Sequence, residues 1–247
     1  MAVHKISEQF HCDLNIDWPC PRCHQKTLQI IKDSFIVEKS AETRKYENED
    51  WFEVEMNRLV FTCMAECTKP QCNEVVACSG IGGANTFWDT EYGEHQKKWY
   101  RPKSFTPALH PFRIPEQCME EISKPLTASF YIYLSQPGSA ANLIRITVER
   151  MLTAIGIPEL NNKRRIPLHN RINGLEGQYV SYKDYLMAIK FLGNAGSHTY
   201  DEVEIGDIEV AFEIMEFVLN DLFSAKKASI DELSKHLQEK FEKKKIE

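Results

Sequence analysis

Long apolar runs are missing from this chain of 247 residues. Nothing approaches the roughly 20 residues that a membrane-spanning helix needs, so no membrane contact is expected. The opening stretch MAVHKISEQFHCDLN lacks the apolar core of a signal peptide, and a cytoplasmic location is expected. Positive charge is not in excess. The formal net charge is −6, which removes any global electrostatic case for nucleic-acid binding and leaves room only for a local basic patch. There is no internal repeat and no low-complexity tract. What is present is an ordinary globular composition, 43% hydrophobic and 27% charged, on a chain long enough for one large domain or two modest ones.

Cysteine is the informative residue. Seven of the eight cysteines fall between Cys12 and Cys78, and Cys118 lies apart. Disulfides are rare in the expected compartment, so clustered cysteines point to metal or thiol chemistry. Trp18-Pro19-Cys20-Pro21-Arg22-Cys23 has the two-residue spacing that lets both sulfurs face one ion. Prolines before and between the cysteines help to set that turn. Further on, a strand-like run Arg58 to Cys63 leads into Cys67 and Cys72, and a second run leads out. Strand, cysteine turn and strand make half of a zinc ribbon. Cys20, Cys23, Cys67 and Cys72 are the expected ligands of a structural Zn2+, with Cys63 the first substitute and Cys12, Cys78, His11 and His24 weaker ones. Four thiolates make a closed site. A catalytic zinc would keep an open position, usually with histidine or carboxylate ligands.

An α+β fold is expected, with a small N-terminal β zinc ribbon over residues 1–83. Its polar stretch Glu38 to Asp50 reads as a solvated hairpin tip or loop. Residues 84–115 read as a proline- and aromatic-rich connector, because four prolines forbid a continuous helix. Trp88, Tyr92, Trp99, Tyr100, Phe105 and Phe112 are expected to dock it against its neighbours, and the rival reading is a groove for stacking bases.

Residues 116–247 read as an all-α bundle. Ser139 is the expected cap of a helix running Ala140 to Ala154. Further helices are expected near Tyr182 to Leu192, over Ile208 to Phe223, and in the tail, where Ile230, Leu233, Leu237 and Phe241 align. Asn194 and His198 are four apart and share a helix face, as do Arg145 and Glu149. Gly193 and Gly196 imply close approach of another helix, or a helix end. The four polar residues form either a buried network that sets helix register or an RNA-cleaving or nucleotide-binding pocket.

A CPxC knuckle, a connector ending Arg113-Ile114-Pro115, the Arg145/Glu149 helix and a Gly-Asn-x-x-x-His run together resemble one family, the domain of unknown function numbered 4145. The resemblance runs from Trp18 to about Phe223 and implies an HEPN-like helical domain found in restriction and phage-defence proteins. Related HEPN domains are commonly dimeric, metal-independent RNases built on an arginine and a following histidine. Here Asn194 and His198 fit that pattern, but Gly193 stands where the arginine belongs. Without a cation the charge stabilisation of the phosphate intermediate is lost.

The first reading is therefore a zinc-binding, non-catalytic module that recognises RNA or DNA, or a protein partner in a defence system. Arg22, His24 and Lys26 on the knuckle, and Arg164, Arg165, His169 and Arg171 further on, are its candidate basic residues. The second is an RNase using His198 and Asn194 with Arg145 and Glu149. The third is an oligomeric structural subunit, with a homodimer expected.

Overall fold

The computed structural model describes residues 3–11, 13–89, 93–198, 203–223 and 225–242. The fold is α+β: an antiparallel sheet followed by a helical region. The strands are β1 (Phe10–His11), β2 (Leu28–Ile30), β3 (Ile36–Lys39), β4 (Leu59–Cys67), β5 (Val75–Asp89) and β6 (Gly93–Thr106). Their order is β1-β6-β5-β4-β2, with β3 lying beside β2 along the same edge of β4. β4 alternates strictly. Leu59, Phe61, Cys63, Ala65 and Cys67 point inward, while Val60, Thr62, Met64 and Glu66 point outward. That period of two follows from the pleat and marks a sheet with one face packed and one face wet.

Two sequence expectations change here. Residues 38–50 are not a loop: β3 ends at Lys39, and Ser40 caps a short helix α1 (Ala41–Tyr46) through the Thr43 N–H. Buried Thr43 binds that helix back to Arg58, accepting from its N–H and donating to its carbonyl. Residues 84–115 are not mainly a connector either. The boundary at 83 falls inside β5, and β5 with β6 forms one long hairpin. The prolines that exclude a helix are accommodated by a strand and by the loop after it. The connecting segment proper follows Thr106, and there Leu109 and Phe112 are buried. Phe112 packs edge-on to Phe130 at 5.4 Å, and Phe130 meets Phe212 at 5.0 Å, so one continuous core joins sheet and helices. Docking thus holds for Tyr100, Phe105 and Phe112. Trp88 is 76% exposed, and Tyr92 lies outside the described residues.

The helical region comprises α2 (Glu120–Ile132), α3 (Pro137–Ala154), α4 (Leu168–Asn173), α5 (Lys183–His198), α6 (Ile205–Phe223) and α7 (Ala225–Glu242), with a small hairpin of β7 (Leu160–Asn161) and β8 (Arg164–Arg165) between α3 and α4. Ser139 is not a cap. Gln136 holds that position and Pro137 opens the helix, where a missing N–H costs nothing. Before α6 the Glu204 N–H donates to Asp207, half of a capping box. The core face of α6 is as expected, with Ile208, Phe212, Met215 and Leu219 fully covered. On α7 the stripe Ile230, Leu233, Leu237 and Phe241 forms as a helix face but stands exposed. Among the described residues no helix is long and apolar enough to cross a membrane.

The junction between sheet and helices carries a titratable contact. His110 is sandwiched between His24 at 5.6 Å and Phe130 at 5.3 Å. Burial, and then the neighbouring His24, push it down to about 4. The neutral ring is therefore favoured in the fold. Stability from this site is present above the unfolded value near 6.5 and is lost as the pH falls towards 4, because only the unfolded chain takes up the proton. Between pH 7 and 5 the wild type should lose about 1–2 kcal/mol more than His110→Asn in urea unfolding. Equal losses in the two proteins would remove His110 as the cause.

Candidate metal centre and polar helix network

The first cysteine pair sits in a turn fixed by its own backbone. Cys20 N–H donates to Gln25 O at 2.8 Å and His24 N–H to Cys20 O at 2.9 Å, with His24 in the left-handed region at φ 57°. The second pair closes the connection between β4 and β5. Cys67 is the last residue of β4 and its N–H donates to Glu74 O at 2.8 Å, while Cys72 N–H donates to Lys69 O at 3.0 Å. Thr68 links the two turns by donating from both its N–H and its hydroxyl to Thr27 O. Trp18, buried beside this turn, packs edge-on against Phe105 at 4.8 Å.

The four sulfurs of Cys20, Cys23, Cys67 and Cys72 all lie within 4.8 Å of one another. Cys20 Sγ is 3.6 Å from Cys72 Sγ, and Cys23 Sγ is 3.8 Å from Cys67 Sγ. Among the described residues they are the one group of His, Cys, Asp or Glu side chains placed to share an ion. Their protonation is divided. Burial pushes Cys20 up to about 12 against the N–H groups of Cys23 and Arg22. Cys23 comes down to about 6, because the Gln25 N–H and the Thr27 hydroxyl outweigh its burial. Four crowded sulfurs cannot all hold negative charge unless a cation lies among them, which is the chemistry of a metal site.

The sequence alternatives go elsewhere. Cys63 lies directly opposite Cys78 across β4 and β5, both in the core. His11 Nδ1 sits 3.2 Å from Lys98 O, and Cys12 lies outside the described residues. Thr27, 3.1 Å from Cys67 Sγ, was not singled out in the sequence. A threonine four residues after a cysteine carries no signal until the fold brings Cys67 to it. The basic residues of the knuckle have partners within the chain: Arg22 donates to Cys72 O at 3.0 Å, Lys26 pairs with Asp17 at the surface, and half-buried His24 covers His110.

The second candidate site lies where α3 crosses α5. Arg145 Nη1 donates to Glu149 Oε1 at 2.7 Å, and Arg145 Nε and Nη2 donate to Asn142 Oδ1. Arg165 Nη2 reaches Glu149 Oε2 at 2.8 Å. Arg171, only 3% exposed, donates to the Glu149 carbonyl, the Thr153 hydroxyl and the Ile157 carbonyl, so it binds the following loop to α3. Of the cations in the stretch from Asn161 to Arg171, Arg171 is buried while Arg164, Arg165 and His169 stay exposed. Arg165 and Arg171 were expected as partner-binding residues: Arg165 pairs with Glu149 while 65% exposed, and Arg171 is withdrawn from the surface. Arg145, Glu149, Arg150, Glu159 and Arg165 line a shallow cavity of about 310 Å³.

The glycines of α5 are explained by contact. A Cβ on Gly193 would lie 2.5 Å from Arg145 Cβ, and one on Gly196 would lie 2.4 Å from Gly138 O. α3 and α5 touch backbone to backbone there, so close helix approach accounts for both. Asn194 is half-buried on α5 beside Gly193. His198 is the last residue of α5, and its side chain lies outside the described residues. Of the four expected polar residues, the structure therefore joins Arg145 to Glu149.

Residues 127–246 match the model described as Domain of unknown function (DUF4145). These residues belong to the DUF4145 family. Residues 8–110 match a different model, Domain of unknown function (DUF8608). The resemblance expected from Trp18 to Phe223 is thus divided: the cysteine centre lies in the DUF8608 region, while α3 and α5 lie in the DUF4145 region. No curated protein and no solved structure matches the chain significantly.

Proposed function

We propose that this chain is a zinc-binding, HEPN-like module without a catalytic step of its own, which recognises nucleic acid. One observation carries the reading. On an acidic chain, Lys97, Lys98, Arg101 and Lys103 fall within one strand, β6, on a hairpin whose turn-proximal aromatics Phe87 and Trp88 are exposed. Cations supply affinity for phosphates, and exposed aromatic rings offer stacking surfaces.

Zinc is the ion favoured by four cysteine ligands. A tetrahedral ion with bonds of about 2.3 Å to sulfur sets its ligands about 3.8 Å apart, close to the two separations of 3.6 and 3.8 Å. A closed four-sulfur site is a structural one, with no open position for a substrate. The absence of a catalytic step is supported by Arg145, whose guanidinium is taken up by Asn142 and Glu149, and by Gly193, which has no room for a side chain. A cytoplasmic setting suits four reduced cysteines. Anti-phage defence, a protein partner within it and a homodimer follow from the family resemblance.

The test is equilibrium binding of labelled RNA and DNA to the full chain across a salt series. Binding should weaken with salt at a slope of about 2–4 in log–log form, and the double variant Lys97→Glu/Arg101→Glu should lose about tenfold or more. The RNA should remain intact throughout. Cleavage that disappears in His198→Ala would establish the RNase instead, and no salt-sensitive binding to either polymer would leave a protein as the partner.

A further inference from the structure

The sheet is wet on one side, and its outer face on the β5–β6 hairpin is arranged in a way that ordinary solvation does not require. Three directly opposed pairs, Phe87 with His95, Asn85 with Lys97, and Gly83 with Trp99, share that face because cross-strand partners always do. Arg101 follows two residues after Trp99 on the same side. The opposite side carries Gly82, Ala84 and Tyr100 into the core, so this side faces outward.

Two ring systems mark it. Phe87 and His95 are stacked at 27° between planes, with Phe87 41% exposed. The Trp99 indole lies across Gly83, where a Cβ would come within 2.7 Å of Cζ2 and 2.9 Å of Cε2. Gly83 therefore leaves the space that lets the ring lie on the backbone instead of standing up from it. Asn85 Oδ1 accepts from Trp99 Nε1 at 3.3 Å and holds the ring's rotation. The Arg101 guanidinium stands 5.8 Å from the Trp99 ring. His95 and Trp99 are about 14 Å apart along the strand, with Lys97 between them. Between His95 and Arg101 this face carries the cations Lys97 and Arg101, and at the neighbouring strand the Glu55 carboxylate accepts from the Thr86 N–H. Glu94 lies on the other face, opposite Trp88.

We propose that a single strand of nucleic acid lies along this face, its bases stacked on the Phe87–His95 pair and on Trp99 and its phosphates held by Lys97 and Arg101. The proposal rests on the nucleic-acid reading above and narrows it. A duplex keeps its base faces covered by neighbouring bases, so exposed rings on a sheet reward only unpaired bases. The phosphate charge is matched by two cations spaced along the strand.

The experiment compares fluorescence anisotropy of the full, metal-loaded chain with a short oligouridine, a single-stranded DNA and a duplex of the same length. The single strands should bind about tenfold or more tightly than the duplex. Phe87→Ala and Arg101→Ala should each weaken them about tenfold. Both side chains are exposed, so the melting temperature should not move. Trp99→Phe, chosen to keep a ring over Gly83, should remove most of the tryptophan quenching that the oligouridine causes in the wild type. Equal binding of duplex and single strand, with Phe87→Ala neutral, would overturn the stacking face and leave the nucleic-acid module standing. Failure to bind any of the three would overturn both and assign the face to a protein partner.

Discussion

Cys20→Ser, or a strong chelator, is expected to empty the cysteine centre and unfold the sheet. The reason is geometric. Cys20 and Cys23 belong to a turn, Cys67 ends β4, and Cys72 precedes β5, so a shared ion joins segments separated by more than forty residues of chain. Apparent binding free energies for structural metal sites of this kind are on the order of 10 kcal/mol, larger than the net stability of many domains. Metal content near one ion per chain, lost in Cys20→Ser together with the sheet's circular dichroism, would agree. Full folding in the chelator would reject a structural role. The effect should depend on pH. Burial holds Cys20 up at about 12, so binding must displace its proton, and the ion should be bound less tightly as the pH falls from 7 to 5.

Gly196→Ala should be the most damaging single methyl in the helical region. The added Cβ meets Gly138 O at 2.4 Å and Ala141 Cβ at 2.9 Å, and neither backbone can move without separating α3 from α5. Overpacking against a backbone atom costs about 3 kcal/mol, which for a chain of this size is a fall of about 6–12 °C in Tm. In an exposed helix the same change would stabilise by about 1 kcal/mol, so even the sign is diagnostic. An unchanged or higher Tm would show that the close approach of the helices is wrong. A large fall would mean that the Gly-Asn-x-Gly run is needed for packing, whatever His198 does.

Local chemistry was legible from residue order. The tight Cys20/Cys23 turn, the choice of Cys67 and Cys72 over Cys63, the α+β class and the periodic cores of α3 and α6 all follow from spacing that constrains neighbours a few residues apart. Even the α7 stripe was read correctly as a helix. What spacing could not say is whether anything covers that stripe, because burial depends on what folds against it. The segment after Gly83 was misread for a related reason. Its prolines exclude a helix, but only the register with β5 makes it a strand. Arg165 and Arg171 read as candidate partner-binding cations because a charge run carries no information about a carboxylate or carbonyl on another element. The tertiary structure brought Glu149 to them. It also gave the knuckle's own basic residues partners within the chain and laid Trp99 across Gly83.

The four-cysteine cluster was therefore written in the sequence as two cysteine pairs, and the fold added the contacts of Thr27 and Arg22 around them. The proposed binding surface was decided by the fold alone. Its parts come from two strands whose pairing places Phe87 against His95 and Gly83 against Trp99, and that register is a long-range property that no local pattern contains.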